Sequence, residues 1–316
     1  MRIIEESALR AVITPQLAVE AMRDAFRADG DGRAHVPAVI NLDVPRHRGE
    51  FHVKTAHIDG VRHIAVKIAS GFYDNPSKGL PSGSGLMVVF DATTGMPVAL
   101  LLDNGFLTDI RTGAAGAVAA DALARKTIRR VGVLGSGLQA RHQVQCLKCV
   151  REFREIVAWS PTPAHLDAYC AEMRAAGFNA RAASSPRDVC VDADVLITTT
   201  PSREPLVLAD WLRPGQHVTA LGSDSPGKQE LEAGCLVRAD LLVVDRVTQC
   251  AAFGELRHAL DAGIHAGRVH GELGELVAGV KPGRTSADQI TIADLTGVGF
   301  QDTAIASMAL ECLGSS

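Results

Sequence analysis

Apolar positions recur at two spacings along this chain, and the change from one to the other divides it into regions. In residues 3–28, Ala18, Met22 and Phe26 repeat at helical spacing after a Thr14-Pro15 start, which predicts a helix. From residue 37 to 103 the period shortens to that of strands. These are expected over residues 39–44, 51–57, 63–70, 85–91 and 96–102, the last two joined by the hairpin-type connection Ala92-Thr93-Thr94-Gly95. The pattern describes a mainly antiparallel sheet with a helix packed on it. An alanine-rich run then predicts a helix from Thr108, its N-cap, to about residue 125. Beyond it, expected strands at 131–134, 156–159, 195–199, 217–222 and 241–244 alternate with helical stretches, which indicates a parallel, doubly wound sheet.

The first of these later strands opens into Gly135-Ser136-Gly137-Leu138-Gln139-Ala140-Arg141, read as strand, tight turn and helix. Gly135 suits the turn, Gly137 allows close approach of a pyrophosphate, and Ala140 lets the helix lie close to the strand, while the helix N-terminus offers N–H groups and positive dipole to the anion. A second strand follows after one helix length, as a dinucleotide-binding unit requires. In such sheets ligands lie beyond the carboxyl ends of the strands. That rule selects Gly135, Ser136, Gly137, Leu138, Gln139 and Ala140, then Trp159, Ser160 and Thr162, then Thr199, Thr200 and Pro201, and finally Ser223 and Asp224.

In the antiparallel region, alternation puts Ile64, Val66 and Ile68 on one face and Ala65, Lys67 and Ala69 on the other. Lys67 is either a solvated lysine or one with working space around it between two alanines. The stretch of residues 78–85 is too glycine-rich for a strand and reads as a loop, with Ser82 and Ser84 among its polar groups, suited to an anion. Arg111 falls in the first turn of the helix from Thr108, where the dipole disfavours a cation unless an anion faces it. Asp109 and a substrate carboxylate are the two candidates.

Composition narrows the class. The 316 residues suffice for a substantial core and about two domains. With 47% hydrophobic residues and a net charge of −4, the chain reads as a soluble globular protein with no pull toward nucleic acid or anionic membrane. No apolar run approaches the roughly 20 residues that span a bilayer, and Glu5 and Glu6 do not fit a secretory leader, so a cytoplasmic protein is expected. The seven scattered cysteines suit a reducing compartment. Cys146 and Cys149 lie inside the helix after the glycine turn and read as a buried helix face rather than a redox pair. No metal site is assigned.

Taken together, Lys67, the Gly79-Leu80-Pro81 loop, Leu107-Thr108-Asp109-Ile110-Arg111-Thr112, Gly135-Ser136-Gly137-Leu138-Gln139-Ala140, Gly222-Ser223-Asp224-Ser225-Pro226-Gly227-Lys228-Gln229-Glu230-Leu231 and Gly297-Val298-Gly299-Phe300-Gln301-Asp302 resemble, in that order, the ornithine cyclodeaminase and mu-crystallin family. The likeness spans nearly the whole chain. It implies an α/β protein with a doubly wound parallel dinucleotide-binding domain, residues 121–298, inserted into an α+β substrate and dimerisation domain, residues 1–120 with 299–316. It also implies a nicotinamide cofactor, with Val298 among the residues that hold it, and a homodimer formed through the sheet of residues 37–103. Carried over by position, Lys67 and Arg111 would hold a substrate α-carboxylate. Asp224 would work at the amino or imino nitrogen while hydride passes to or from the carbon between them.

Two departures from the family pattern are informative. Pro37-Ala38-Val39-Ile40 lacks the arginine usual in the first strand, while the next hairpin is strongly basic, with Arg46, Arg48 and Lys54. These cations are either a solvated surface or a site for a second carboxylate, to which Ser82 and Ser84 would contribute. The second alternative resembles the branch containing iminosuccinate reductase and the ectoine-utilisation cyclodeaminase-like proteins. After the second parallel strand, Trp159-Ser160-Pro161-Thr162 offers neither an acid for a ribose hydroxyl nor an arginine for a 2′-phosphate. The balance tips to NAD, with NADP open, since no basic side chain follows the strand closely. Three activities are compatible with the resemblance: an NAD(P)H-dependent imine reductase or amino-acid dehydrogenase, with iminosuccinate to aspartate foremost; a cyclodeaminase of an ornithine-like diamino acid; and a non-enzymatic binding protein for a small molecule. The retained Lys67, Arg111 and Asp224 argue against the third.

Overall fold

The computed structural model describes residues 1–314 and divides into two compact units, Met1–Arg111 with Val298–Ser316, and Thr112–Gly297. The first division falls inside the helix Phe106–Leu123. No helix among the described residues is long and apolar enough to cross a membrane.

The first unit is built on a seven-stranded sheet. Its order is Arg2–Glu5, Pro97–Leu102, Gly83–Asp91, His63–Phe72, Gly49–Ile58 and Ala34–His35, with Ile40–Val44 also paired to Gly49–Ile58. Only the first pair is parallel. The helices Pro15–Gly30 and Gly299–Cys312 meet through an edge-on contact of Phe26 with Phe300, ring centroids 5.3 Å apart. Gly299–Cys312 also lies on the sheet, where Thr303 Oγ1 donates to the carbonyl of Ala56 and accepts from the amide of Ala65.

Several expectations are corrected here. The chain opens with a strand, Arg2–Glu5, and a short helix, Glu6–Val12, before the helix Pro15–Gly30, instead of one helix over residues 3–28. Pro15 cannot continue a preceding helix, and Thr14 starts the new one by accepting the Leu17 amide at 3.3 Å. Thr108 is not an N-cap: the helix begins at Phe106, and Asp103 accepts the Leu107 amide at 2.9 Å. The turn is made by Asn104 and Gly105, both at positive φ, so Arg111 lies beyond the first turn. The glycine-rich loop ends earlier than expected, because Gly83, Ser84 and Gly85 pair with Gly71, Ser70 and Ala69 as strand.

The two faces of this sheet differ from the simple reading of alternation. Ala65 and Lys67 face inward with Met87, Val89 and Ala99, all buried, whereas Ile64, Val66 and Ile68 lie on a half-exposed face with Leu86, Val88, Val98 and Leu100. The small side chains of the inner face admit the C-terminal helix, and the lysine is buried with them.

The second unit is an eight-stranded, all-parallel sheet. Its order is Asn179–Ala182, Glu155–Trp159, Arg130–Leu134, Val195–Thr198, His217–Ala220, Thr291–Asp294, Leu241–Val244 and Val269–Glu272. The chain winds outward from Arg130–Leu134 in one direction and then, from Val195–Thr198, in the other. The crevice at that reversal is where a doubly wound sheet receives its ligand. Asn179–Ala182, Val269–Glu272 and Thr291–Asp294 were not expected: each has only four residues, with polar groups that hide the apolar run. The core beneath the sheet is aliphatic, with Val218, Leu231, Leu242 and Ile292 buried.

Candidate active site

In the first unit, three segments distant in sequence bring charged groups together. Lys67 enters from the strand His63–Phe72, Arg111 from the helix Phe106–Leu123, and Asp302 from the first turn of Gly299–Cys312, where the dipole favours an acid. Lys67 Nζ lies 3.1 Å from Asp302 Oδ2, Arg111 Nε donates to Asp302 Oδ1 at 2.9 Å, and Arg111 Nη1 donates to Gln301 Oε1 at 2.9 Å. The side chains are only 3%, 4% and 0% exposed for Lys67, Arg111 and Asp302, so neither cation is a solvated surface group. The internal partner of Arg111 is therefore Asp302.

Burial pushes the Lys67 ammonium down to about 7, against the pull of Asp302 and with added repulsion from Arg111 and Lys54. Burial pushes the Asp302 carboxyl up, but Arg111 and Lys67 outweigh it and hold the group below the usual carboxylate range. Two cations thus share one internal anion, and Arg111 retains a terminal amine that neither Asp302 nor Gln301 occupies. The cluster can take up a further negative group at little reorganisation cost.

The basic hairpin separates into two parts. Lys54 is in direct cross-strand register with Lys67 and lies close enough to perturb both Lys67 and Asp302. Arg46 sits in the exposed turn Pro45–His47, and Arg48, 71% exposed, donates to Asp74 at 2.9 Å. Arg48 precedes Lys54 by six positions, roughly 20 Å along a strand at about 3.3 Å per residue. The structure therefore brings Lys54 to Lys67 and leaves Arg46 and Arg48 at the hairpin tip. Ser82 is exposed, and Ser84, opposite Ser70, falls on the sheet face away from Lys67.

In the second unit the glycine turn has the form needed for a dinucleotide. Gly135 adopts φ +116°, and a Cβ there would meet Thr199 Oγ1 at 2.5 Å, so the turn admits no side chain. Gly137 is exposed, has open space where a Cβ would be, and precedes the helix Leu138–Lys148 without a side-chain cap, which leaves the first-turn amides for an anion. Ser136 Oγ donates to Ser160 Oγ at 2.9 Å, tying the turn to the end of the next strand. Ala140 is buried, Gln139 and Trp159 are half-buried, and Leu138 and Thr162 are exposed beside them. The sequence pattern does not assign Arg141 to this site, yet the structure places it against the turn. Its Nη1 holds the carbonyls of Ser136 and Gly137 at 2.8 and 2.9 Å, with Glu172 on its Nε.

Thr199 and Thr200 follow the strand Val195–Thr198: Thr199 Oγ1 donates to the Leu134 carbonyl, and Thr200 is buried next to exposed Pro201. Ser223 is buried and donates to the carbonyls of Lys228 and Phe253. Asp224 is half exposed, and Lys228 Nζ donates to its Oδ1 at 2.7 Å. Val298 is buried at the start of the C-terminal helix. Burial pushes the Cys146 thiol up, and Cys149 stands just past the helix end, an environment unlike that of a redox pair.

The profile of the ornithine cyclodeaminase/mu-crystallin family matches residues 4–316. An uncharacterised cyclodeaminase of Sinorhizobium fredii is 46% identical over 315 residues, 98% of this chain and 95% of that protein. Among solved structures, an archaeal alanine dehydrogenase dimer with bound NAD superposes with TM-score 0.93 at 34% identity, covering 99% of this chain and 95% of its own. The iminosuccinate reductase of Paracoccus denitrificans, in complex with NAD+, superposes with TM-score 0.89 at 31% identity, covering 99% and 96%.

Proposed function

Because the chain belongs to the ornithine cyclodeaminase/mu-crystallin family, we propose that it is an NAD-dependent imine reductase of a small imino acid, best represented by iminosuccinate reduced to aspartate. Arg111 and Lys67 hold the α-carboxylate, the guanidinium by its unoccupied edge and the ammonium as a point charge. Asp302 keeps both cations oriented before substrate arrives, so little ordering is left for the binding step. Asp224, with Lys228 on one carboxylate oxygen, has the other to accept the iminium N–H and so stabilise its charge. The glycine turn, the uncapped helix N-terminus and the loops bearing Thr199, Thr200, Pro201 and Ser223 fit NAD, and Ser160 and Thr162 suit its ribose. When bound, the nicotinamide supplies the hydride for the imine carbon, a proton goes to nitrogen, and amino acid and NAD+ result.

The observation that carries the substrate assignment is Lys54 in register with Lys67. Lys54 is thus a third cationic side chain, after Lys67 and Arg111, whose charge acts on Asp302. A substrate bringing a second carboxylate meets attraction from a further cation in register with Lys67, whereas an ornithine-like diamino acid brings an ammonium against like charge. Lys54 therefore favours the dicarboxylic imino acid over the cyclodeaminase substrate. The alanine dehydrogenase relative marks the competing monocarboxylic reading. We further propose a homodimer, with the half-exposed aliphatic sheet face covered by a second copy.

The test is a panel of keto acids plus ammonia with NADH, set against diamino acids with NAD+. Consumption of NADH with oxaloacetate and ammonia, at higher kcat/KM than with pyruvate and ammonia, is expected. Ammonia release from ornithine without net change in NADH absorbance would establish the cyclodeaminase instead.

A further inference from the structure

Glu230 ends the loop that begins at Asp224, and its side chain is completely buried with no basic side chain bonded to it among the described residues. Four donors converge on it instead. Oε1 accepts the Thr200 amide at 2.5 Å and the Thr200 hydroxyl at 2.7 Å, and Oε2 accepts the Thr198 hydroxyl at 2.6 Å and the Gly222 amide at 2.8 Å. These donors belong to two chain segments. The strands Val195–Thr198 and His217–Ala220 are paired up to Thr198 and Ala220, and the ladder ends there. Beyond that point the carboxylate joins the segments in place of the ladder. They lie so close that a Cβ on Gly222 would sit 2.2 Å from the Thr200 carbonyl oxygen and 2.4 Å from Glu230 Cδ.

Glu230 is itself fixed through its main chain. Its amide donates to Glu255 at 2.7 Å, and its carbonyl accepts from Leu206 and Val207 at 2.7 and 3.0 Å. A carboxylate removed from water is costly unless its acceptors are filled, and its neighbours Val207 and Leu231 belong to an aliphatic core that could house an apolar side chain. What the carboxylate provides and an apolar side chain does not is a four-donor bracket at the carboxyl ends of two adjacent strands.

We infer that Glu230 is a positioning residue, whose carboxylate sets the relative placement of the Thr199-Thr200 segment and of the Gly222-Ser223-Asp224 segment. The inference rests on the assignment of those segments to the cofactor and the imine nitrogen. Replacement by Gln keeps the shape but offers one acceptor oxygen in place of two, so an amide NH2 confronts either the Thr200 or the Gly222 N–H.

The experiment compares wild type with Glu230→Gln and Thr198→Val, the latter removing one donor while leaving the carboxylate. NADH affinity is measured by nicotinamide fluorescence, turnover by steady-state kinetics, and amide exchange of Thr200 and Gly222 without cofactor. In Glu230→Gln, NADH affinity and kcat are each expected to fall about tenfold or more, with secondary structure retained and exchange at both amides accelerated. In Thr198→Val a fall of about threefold is expected. If Glu230→Gln does not fold, Thr198→Val decides. Folded variants with NADH affinity and kcat within twofold of wild type, or with unaccelerated exchange at Thr200 and Gly222, overturn the inference. If wild type itself fails to bind NADH, the cofactor assignment is what fails, and the exchange data alone judge the bracket.

Discussion

The Lys67 ammonium and the Asp302 carboxylate are 3.1 Å apart and both withdrawn from solvent, so the C-terminal helix supplies the anion that allows a lysine to be buried in the sheet. Removing that anion leaves the buried Arg111 guanidinium without its charged partner and takes from Lys67 the attraction that opposes its burial. Asp302→Asn is expected to lower the unfolding free energy by about 3–5 kcal/mol, the range for breaking a buried pair from one side. Urea unfolding checks this, and a loss below about 1 kcal/mol would mean that the cluster is solvated in solution.

With Lys67 titrating at about 7 in the free protein, the charge that meets an anionic substrate disappears as pH rises through that value. The kcat/KM for an imino dicarboxylate is expected to decline above about pH 7, and Lys67→Met to show a low profile without that inflection. The sign for stability is opposite. The folded pKa of about 7 lies below the ordinary 10.5, so the unfolded chain binds the extra proton between the two, and this group's contribution to stability grows as pH rises through that window. The difference in unfolding free energy between wild type and Lys67→Met, followed from pH 7 to 10, should show it.

Asp224→Asn keeps a polar group beside Lys228 but removes the negative charge. A fall in kcat of about 10²-fold or more is expected, with NADH affinity unchanged. Near-wild-type turnover would take Asp224 out of the reaction.

Lys54→Gln should lower the ratio of kcat/KM for oxaloacetate plus ammonia to that for pyruvate plus ammonia by about tenfold or more, while Arg46→Gln and Arg48→Gln leave it unchanged. An unchanged ratio in Lys54→Gln would return the dicarboxylate assignment to open competition with the monocarboxylic one.

The half-exposed face containing Val66, Ile68, Leu86 and Val88 is expected to be covered in a dimer. Wild type should sediment as a dimer and Ile68→Asp as a smaller species. A stable, active wild-type monomer would contradict this.

The sequence by itself determined what local patterning can encode. Alternation and glycine placement mark the antiparallel strands and the turn at Gly135, because strand period and left-handed backbone are properties of a few adjacent residues. The strand-end rule likewise identifies the loops bearing Thr199 and Ser223, since winding order follows from strands alternating with helices. Tertiary structure decided which face of a strand is buried and who pairs with whom. Ala65 and Lys67 read as the open face, yet they are covered, because small side chains leave room for Gly299–Cys312 and only contact with that helix supplies Asp302. For Arg111 the sequence offers Asp109 or a substrate carboxylate as partner, and it gives no sign of Asp302, which bonds Arg111 from a segment 191 residues away. Lys54 gained meaning from its register with Lys67, and Glu230 from two loops that meet only when their strands pair. Charge pairing and buried hydrogen bonds depend on distances of a few ångströms between remote segments, and spacing along the chain does not carry that information.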